Sequence, residues 1–395
     1  MTDYRAMESK YYMHVVNRQP VVIVRGEGTR VWDDQGKEYL DFTAGWAVNN
    51  VGHANHAMAE AIASQARTLL QTSNQFFTVP QLELAEVLVE NSVLDKVFFC
   101  NSGAEANEGA VKLARKWGRI NKNGPGEIIT AYNSFHGRTM NMVAATAQPK
   151  YQEAWAPVPV GFVHVDFGDL DQIKAATGDD TVAVMLEPVQ SEGGVNIPEP
   201  DYLSGVRAWC DERDLLLILD EVTTGLGRLG KLFGYEAFDV EPDVVTLAKG
   251  LGGGVPIGAF LCNERADVLE PGDHGSTFGG NALTCAAANA STRYLIDNNV
   301  PENAAEVGSY LMSRLDGLRS KHEIISNVRG MGCLVGVEFS ADIAASLLPS
   351  CNDNGLLLNV TRPNLVRWLP PLTVTREEVD EAVDRFERAL DASKA

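Results

Sequence analysis

Continuous apolar runs alternate with helical patterns through the middle of this 395-residue chain. Runs that are rich in β-branched residues are typical of buried parallel strands. They predict strands over 96–100, 127–132, 181–189, 215–222, 243–248 and 257–262. Helical spacing of apolar residues predicts helices over 103–118, 202–213 and 282–297. Because strands and helices alternate, we predict an α/β fold with a mostly parallel sheet.

From about residue 300 the pattern changes to that of a smaller α+β unit. It predicts a helix, strands over 331–339, 355–360 and 364–369, and a closing helix. Thr375 and Glu378 form a capping-box pattern at the start of that last helix. The first 50 or so residues predict a short β-meander that packs with the same unit. We therefore predict an N-terminal segment (1–50), a large domain (51–298) and a C-terminal small domain (299–395).

Composition and charge narrow the classes of partner. With 33 Lys+Arg against 53 Asp+Glu, the formal net charge is −20, which disfavours nucleic acid as a main partner. The six cysteines are widely spaced, so they predict neither a disulfide framework nor a metal site. The N-terminus lacks the apolar segment of a signal peptide, and no apolar run approaches the roughly 20 residues of a membrane span. We predict a cytoplasmic protein.

A glycine-rich segment, GLGRLG at 225–230, has the glycine spacing of a dinucleotide-binding fingerprint but lacks the flanking strand and helix that the fingerprint requires. The fingerprint should open an apolar helix, whereas KLFGYEAF follows here. Lys231 also completes the spacing of a phosphate-binding P-loop, but the next residue, Leu232, has no hydroxyl to hold Mg²⁺. Both nucleotide-binding interpretations therefore fail.

Residues Ser102, Gly103 and Ala104 lie between a predicted strand and a predicted helix. The first turn of a helix presents free backbone N–H groups at the positive end of its dipole, which favours a bound anion. An ordinary capped helix accounts for this segment equally well when it is considered alone.

Two charged residues follow other predicted strands. Asp220 ends a fully apolar strand, where a carboxylate needs a cation or a hydrogen-bond donor. Lys249 comes directly after another, where partial deprotonation suits a Schiff-base role, although considered alone it is better explained as a surface lysine on a loop. Strand ends converge at one crevice in an open parallel sheet. An anion cradle, a carboxylate and an amine there predict pyridoxal phosphate, with Phe135 stacked on its ring.

Longer motifs resemble the class III, or ω-amino, branch of the fold-type I pyridoxal-phosphate aminotransferases over nearly the whole chain. The segments that carry the resemblance are LDFTAGWAVNNVGH, NSGAEANEGAVKLARK, FHGR, EPVQSEGG, LILDEVTTGLGRLG, LAKGLGGGVPIGA, HGSTFGGN, VRGMGCLVGVEF and NVTRPNLVRWLPPL. The resemblance implies a fold-type I transferase with a large cofactor-binding domain and a small domain built from both chain termini.

The resemblance also implies how the cofactor is held. Lys249 would bond covalently to the cofactor aldehyde and move a proton, and Asp220 would hold the pyridinium proton. Residues 102–104 would bind the phosphate, together with Thr277 of the partner subunit, because each active site of the expected homodimer lies at the subunit interface.

Substrate residues are implied in the same way. Phe135 would cover the ring face, and Arg138 would clamp the carboxylate of an acylated diamino acid, with Ser276 nearby. Arg367 would take the α-carboxylate of glutamate or 2-oxoglutarate, and Glu192 would pair with it when an ω-amine is the donor. Bidentate Arg–carboxylate contacts suit a site that accepts two carboxylate substrates.

Three positions depart from the family pattern. Thr223 stands where the family usually has a Gln that reaches the cofactor hydroxyl, and Ser191 stands where a Gly usually precedes Glu192. Trp46 replaces a tyrosine that binds free ornithine in ornithine δ-aminotransferases, which disfavours free ornithine as the donor.

We expect transfer of the terminal amino group of N-acetylornithine to 2-oxoglutarate, as in arginine biosynthesis. Alternatives within the family are succinylornithine, 4-aminobutyrate or a donor from lysine biosynthesis. A lyase, decarboxylase or aminomutase with the same cofactor is disfavoured, because two arginines for two carboxylates favour transfer. A cofactor-binding protein without enzymatic activity would need neither arginine.

Overall fold

The structure is a computed structural model that describes residues 2–122, 124 and 126–392. Within these ranges the strands are β1 (Ile23–Glu27), β2 (Arg30–Asp33), β3 (Glu38–Asp41), β4 (Lys96–Cys100), β5 (Glu127–Ala131), β6 (Phe162–Val165), β7 (Thr181–Leu186), β8 (Leu216–Asp220), β9 (Val244–Leu247), β10 (Gly258–Cys262), β11 (Ile325–Met331), β12 (Leu334–Phe339), β13 (Leu356–Leu357), β14 (Asn359–Arg362) and β15 (Leu365–Trp368). They form one seven-stranded and two four-stranded sheets.

The α-helices within the same ranges are α1 (Tyr4–Tyr11), α2 (Ala44–Ala47), α3 (His56–Thr68), α4 (Val79–Glu90), α5 (Gly103–Asn121), α6 (Met140–Ala145), α7 (Pro149–Gln152), α8 (Leu170–Ala176), α9 (Tyr202–Glu212), α10 (Ala282–Asp297), α11 (Val300–Gly317), α12 (Ala344–Asp353) and α13 (Arg376–Ala392). The α2 segment is a single tight turn, because Ala44, Gly45, Trp46 and Ala47 all have positive φ. None of the helices in the described part of the chain is long and apolar enough to cross a membrane.

The seven-stranded sheet forms the centre of the molecule, with strand order β4-β10-β9-β8-β7-β5-β6. Strand β10 runs antiparallel to β4 and β9, and the remaining neighbours are parallel. Every residue of β7, β8, β9 and β10 is buried, which explains their continuous apolar sequences. The predicted α/β class with a mostly parallel sheet is confirmed.

The two smaller sheets contain the ends of the chain. Strands β1, β2 and β3 form the predicted antiparallel meander, and β3 pairs in parallel with β13 through Leu40 and Leu356. The other sheet has the order β11-β12-β15-β14. N-terminal and C-terminal segments therefore share a sheet, as predicted. The domain boundaries at residues 50 and 298 stay a prediction.

The predicted elements agree with the structure wherever apolar patterns are long. Each of the six predicted central strands exists, and the predicted helices correspond to α5, α9 and α10. Both hydrogen bonds of the predicted capping box are present, at 3.0 Å from the Thr375 N–H to Glu378 Oε2 and 3.2 Å from the Glu378 N–H to Thr375 Oγ1. Sequence patterns missed β6, α3, α4 and α12. The strand predicted over 331–339 spans the turn between β11 and β12, and the one predicted over 355–360 covers β13 and the start of β14, which lie in different sheets.

Candidate active site

One pocket lies at the carboxyl edge of the central sheet, where β4, β8 and β9 end. Residues 102–104, Phe135, Arg138, Asp220 and Lys249 all line it. These side chains come from segments that are distant in sequence, and the shared direction of the three strands brings them together. The structure therefore places most of the predicted cofactor residues around a single cavity.

Asp220 is buried at the base of the pocket and fully supplied with donors. Its Oδ2 accepts hydrogen bonds from Asn107 Nδ2 at 2.7 Å and lies 2.8 Å from His136 Nδ1. Its Oδ1 accepts the Val222 N–H at 3.0 Å. A buried carboxylate is tolerable only with such partners. The arrangement fixes a negative charge in a position facing the cavity.

Lys249 begins the turn after β9 with a φ of 41°, which is uncommon for a residue with a Cβ. Its Nζ donates a 2.6 Å hydrogen bond to Thr223 Oγ1. Burial lowers the pKa of Lys249, because the ammonium form loses solvation in the pocket. A constrained amine with a depressed pKa has the properties of a Schiff-base nucleophile.

The anion cradle is the N-terminus of α5. Ser102 caps the helix by accepting the Glu105 N–H at 3.2 Å through its Oγ. The first backbone N–H groups of a helix have no intrahelical acceptor, so those of Gly103 and Ala104 remain available. A Cβ at Gly103 would lie 2.8 Å from Val222 Cγ1, so this position leaves no room for a side chain. The helix is therefore capped, and its role as an anion cradle stays a prediction.

Aromatic and cationic groups form one wall of the pocket. The Phe135 N–H donates to Glu187 Oε1 at 3.0 Å, and the Phe135 ring meets Tyr151 edge-on at 5.9 Å. The Arg138 guanidinium carbon lies 4.0 Å from the Tyr151 ring centroid. This cation–π contact holds Arg138 at the pocket wall while its N–H groups remain available for a carboxylate.

An ion pair between a buried arginine, Arg367, and a half-buried glutamate, Glu192, lies beyond the residues that line this pocket. Arg367 is only 1% exposed and its Nη1 donates to Glu192 Oε1 at 2.7 Å. The same Nη1 donates to Ser191 Oγ at 2.8 Å, and Nε lies 3.4 Å from Asn359 Oδ1. Although burial opposes ionisation of Glu192, Arg367 and Lys249 hold the pKa of that carboxyl below its ordinary value. The predicted pair of charges is thus in contact.

Ser276 and Thr277 lie in a loop outside this pocket lining. Ser276 Oγ accepts the Gly279 N–H at 2.9 Å and Asn101 Nδ2 at 3.2 Å. Thr277 is exposed, and its carbonyl accepts from Gln71 Nε2. Their contacts with substrate and with a partner subunit's phosphate site stay predictions.

Sequence reasoning missed three buried polar residues and undervalued a fourth. The Asn107 amide donates to Asp220 and to the His136 carbonyl and accepts from Thr246. The Glu187 carboxylate accepts the Phe135 N–H. Arg228 donates to Asn50 Oδ1 and to backbone carbonyls of the C-terminal region. His136, which lies in the FHGR motif and had been given no role, has Asp220 itself as its partner. The polar Asn107, on the helix face that is otherwise buried and apolar, was the available signal.

The chain belongs to the class III aminotransferase family, whose model "Aminotransferase class-III" matches residues 11–390. Among curated relatives, an acetylornithine aminotransferase from Caldanaerobacter subterraneus subsp. tengcongensis is 48% identical over 97% of this chain and 98% of its own. Two solved structures are similar. An N-acetylornithine aminotransferase from Stenotrophomonas maltophilia has a TM-score of 0.85 and 37% identity, covering 98% of this chain and 99% of its own. An ornithine aminotransferase from Toxoplasma gondii, with partial occupancy of PLP at its active site, has a TM-score of 0.94 and 35% identity, covering 99% of this chain and 94% of its own.

Proposed function

We propose that this aminotransferase binds pyridoxal phosphate in the pocket at the end of β8 and β9. The observation that carries this proposal is the convergence of Lys249, Asp220 and the α5 N-terminus on one cavity. When bound, the cofactor supplies an aldehyde that takes up an amino group and a pyridinium ring that withdraws electrons. Membership of a class III aminotransferase family and the PLP reported in the Toxoplasma relative support the same assignment.

Each chain residue then has a defined task. Asp220, fixed by three hydrogen bonds, would hold the proton of the pyridine nitrogen, and residues 102–104 would hold the phosphate through backbone N–H groups. Lys249 would provide the amine that binds the cofactor aldehyde and would accept and return the proton that transfer requires. Thr223 Oγ1 accepts a hydrogen bond from the Lys249 amine at 2.6 Å, and Phe135 would cover the ring face.

We propose N-acetylornithine as the amine donor and 2-oxoglutarate as the acceptor. Several curated relatives that share 45–49% identity over nearly the whole chain are acetylornithine aminotransferases. Arg138 at the pocket wall suits the carboxylate of the acylated donor, and Arg367 suits the α-carboxylate of the acceptor. Glu192 neutralises Arg367 while the donor, which has no second carboxylate, occupies the site. Trp46 has no phenol with which to bind free ornithine.

Assembly as a homodimer is part of the same proposal. The loops that contain Gln71 and Thr277 touch one another, and both expose aromatic side chains. Phe77 is 92% exposed and Phe278 is 65% exposed, which is costly for a monomer in water. Sedimentation equilibrium should give about twice the chain mass of 42.8 kDa, and a single-chain mass would contradict this part of the proposal. Action in the cytoplasm stays a prediction from the sequence.

Borohydride reduction tests the cofactor assignment directly. Purified protein incubated with pyridoxal phosphate and then reduced should retain the cofactor covalently on the peptide that contains Lys249, as measured by mass spectrometry. Lys249→Ala should lose both the attachment and turnover, whereas Lys231→Ala, a control at the rejected P-loop motif, should retain both. Attachment at another lysine would overturn the assignment. A panel of N-acetylornithine, succinylornithine, ornithine and 4-aminobutyrate with 2-oxoglutarate tests the donor.

A further inference from the structure

The serine that precedes Glu192 contacts the buried arginine with which Glu192 pairs. Ser191 is fully buried, and its Oγ accepts a 2.8 Å hydrogen bond from Arg367 Nη1. A glycine at this position would have no side chain with which to make this contact. Ser191 therefore gives the guanidinium a neutral acceptor that is independent of Glu192.

The backbone around Ser191 is held in one conformation. Gln190 and Asn196 exchange two backbone hydrogen bonds, at 3.0 and 2.9 Å, which close a tight turn. Inside that turn the Ser191 carbonyl accepts the Gly194 and Val195 N–H groups. The Ser191 N–H points toward Glu187 Oε2 at 3.4 Å. A hydroxyl on a fixed backbone keeps its direction when neighbouring side chains move.

Glu192 differs from Ser191 because its side chain is 27% exposed, whereas Ser191 is fully buried. Nη1 has two hydrogens, so it donates to Ser191 and Glu192 at the same time. When a second substrate carboxylate displaces Glu192, the bond to Ser191 remains and the other Nη1 hydrogen becomes free. The nearly buried guanidinium then stays oriented for a bidentate contact.

We propose that Ser191 is a positioning residue that favours dicarboxylate substrates by anchoring Arg367 when Glu192 is displaced. The inference rests on the proposed function only in that Arg367 binds a substrate carboxylate. Without the hydroxyl, Arg367 depends more on Glu192, so the cost of breaking the ion pair rises. Binding of a dicarboxylate should weaken more than binding of a monocarboxylate, which has no second charge with which to displace Glu192.

Calorimetric binding of two unreactive five-carbon acids to the cofactor-loaded enzyme tests this proposal. We expect Ser191→Ala to lower the preference for glutarate over pentanoate about tenfold, which corresponds to about 1.4 kcal/mol. Ser191→Gly, which restores the residue usual in the family, should shift the preference in the same direction. Ser204→Ala, at the start of α9, is the matched control and should leave the preference at the wild-type value.

Half-reactions give a second readout of the same effect. In single turnovers of Ser191→Ala, the ratio of kcat/KM for glutamate to that for N-acetylornithine should fall about tenfold. If Ser191→Ala leaves the ratio of the dissociation constants for glutarate and pentanoate unchanged, as equal weakening of both acids would, the role of Ser191 is overturned. If N-acetylornithine proves inert but the preference for glutarate still falls, the donor assignment fails while the role of Ser191 stands.

Discussion

Replacement of Asn107 by Ala should both destabilise the protein and weaken its hold on the cofactor. Asn107 is buried and joins three groups from different segments. Its Nδ2 donates to Asp220 Oδ2 and to the His136 carbonyl, each at 2.7 Å, and its Oδ1 accepts from Thr246 Oγ1 at 2.6 Å. All three partners are buried as well, so bulk water does not readily replace the lost amide.

The magnitude follows from those three bonds. A hydrogen bond contributes about 1 kcal/mol net, and a buried group left without a partner costs about 1–3 kcal/mol. Asp220 keeps His136 and the Val222 N–H, whereas Thr246 loses the acceptor of its hydroxyl proton. Counting about 1 kcal/mol for each bond, we expect Asn107→Ala to lower the free energy of unfolding by about 3 kcal/mol.

Urea denaturation of the cofactor-free protein measures that loss, and absorbance titration with pyridoxal phosphate measures the second effect. We expect about tenfold weaker cofactor binding, because Asp220 loses one of the donors that orient its carboxylate. Asn121→Ala in the same helix is the control, since Asn121 is exposed and, among the residues that the structure describes, its side chain donates only to the Trp117 carbonyl. If the two variants unfold alike and bind the cofactor equally well, the reasoning about Asn107 is wrong.

Two other predictions concern charge. Arg367→Ala should lower kcat/KM for 2-oxoglutarate roughly 100-fold and kcat/KM for the amine donor less, because only the acceptor needs a cation there. Steady-state kinetics measure this, with the surface variant Arg376→Ala as the control. An equal effect on both substrates would contradict the proposed selectivity. Burial raises the pKa of Glu187 from 4.5 to about 7, so the unfolded chain ionises first and stability should fall as pH rises from about 4.5 to about 7. Glu187→Gln should flatten that pH dependence in urea melts, and an unchanged slope would contradict the assignment.

Apolar patterns predicted the central sheet because its strands are buried on both faces. The boundaries of Lys96–Cys100 agree with the prediction, whereas Phe162–Val165 was missed. That strand has four residues at the sheet edge and only Val165 is buried, so its sequence resembles a loop. Helix α3 was missed for a similar reason, since Met58 is its only buried residue.

The candidate site was predictable where a charged residue directly ends an apolar strand, as Asp220 does. It was not predictable where a residue acts through distant partners. Asn107 and Asp220 are 113 positions apart, and Arg228 bonds carbonyls that lie more than 100 positions away. Nothing in the local sequence of Arg228 indicates that it is fully buried, which lowers its pKa to about 10.

Asp220 and Arg367, the two buried charged residues of the site, are held in different ways. The difference suits an enzyme that keeps one cofactor bound but exchanges two unlike substrates. Asp220 has partners that come from a helix, a loop and the backbone, and none of them needs to move during a reaction cycle. Arg367 has Ser191 as a fixed acceptor and Glu192 as one with a partly exposed side chain. A fixed charge suits a cofactor that stays bound. A charge with one exchangeable partner suits a site that admits first a substrate with a single carboxylate and then a substrate with two.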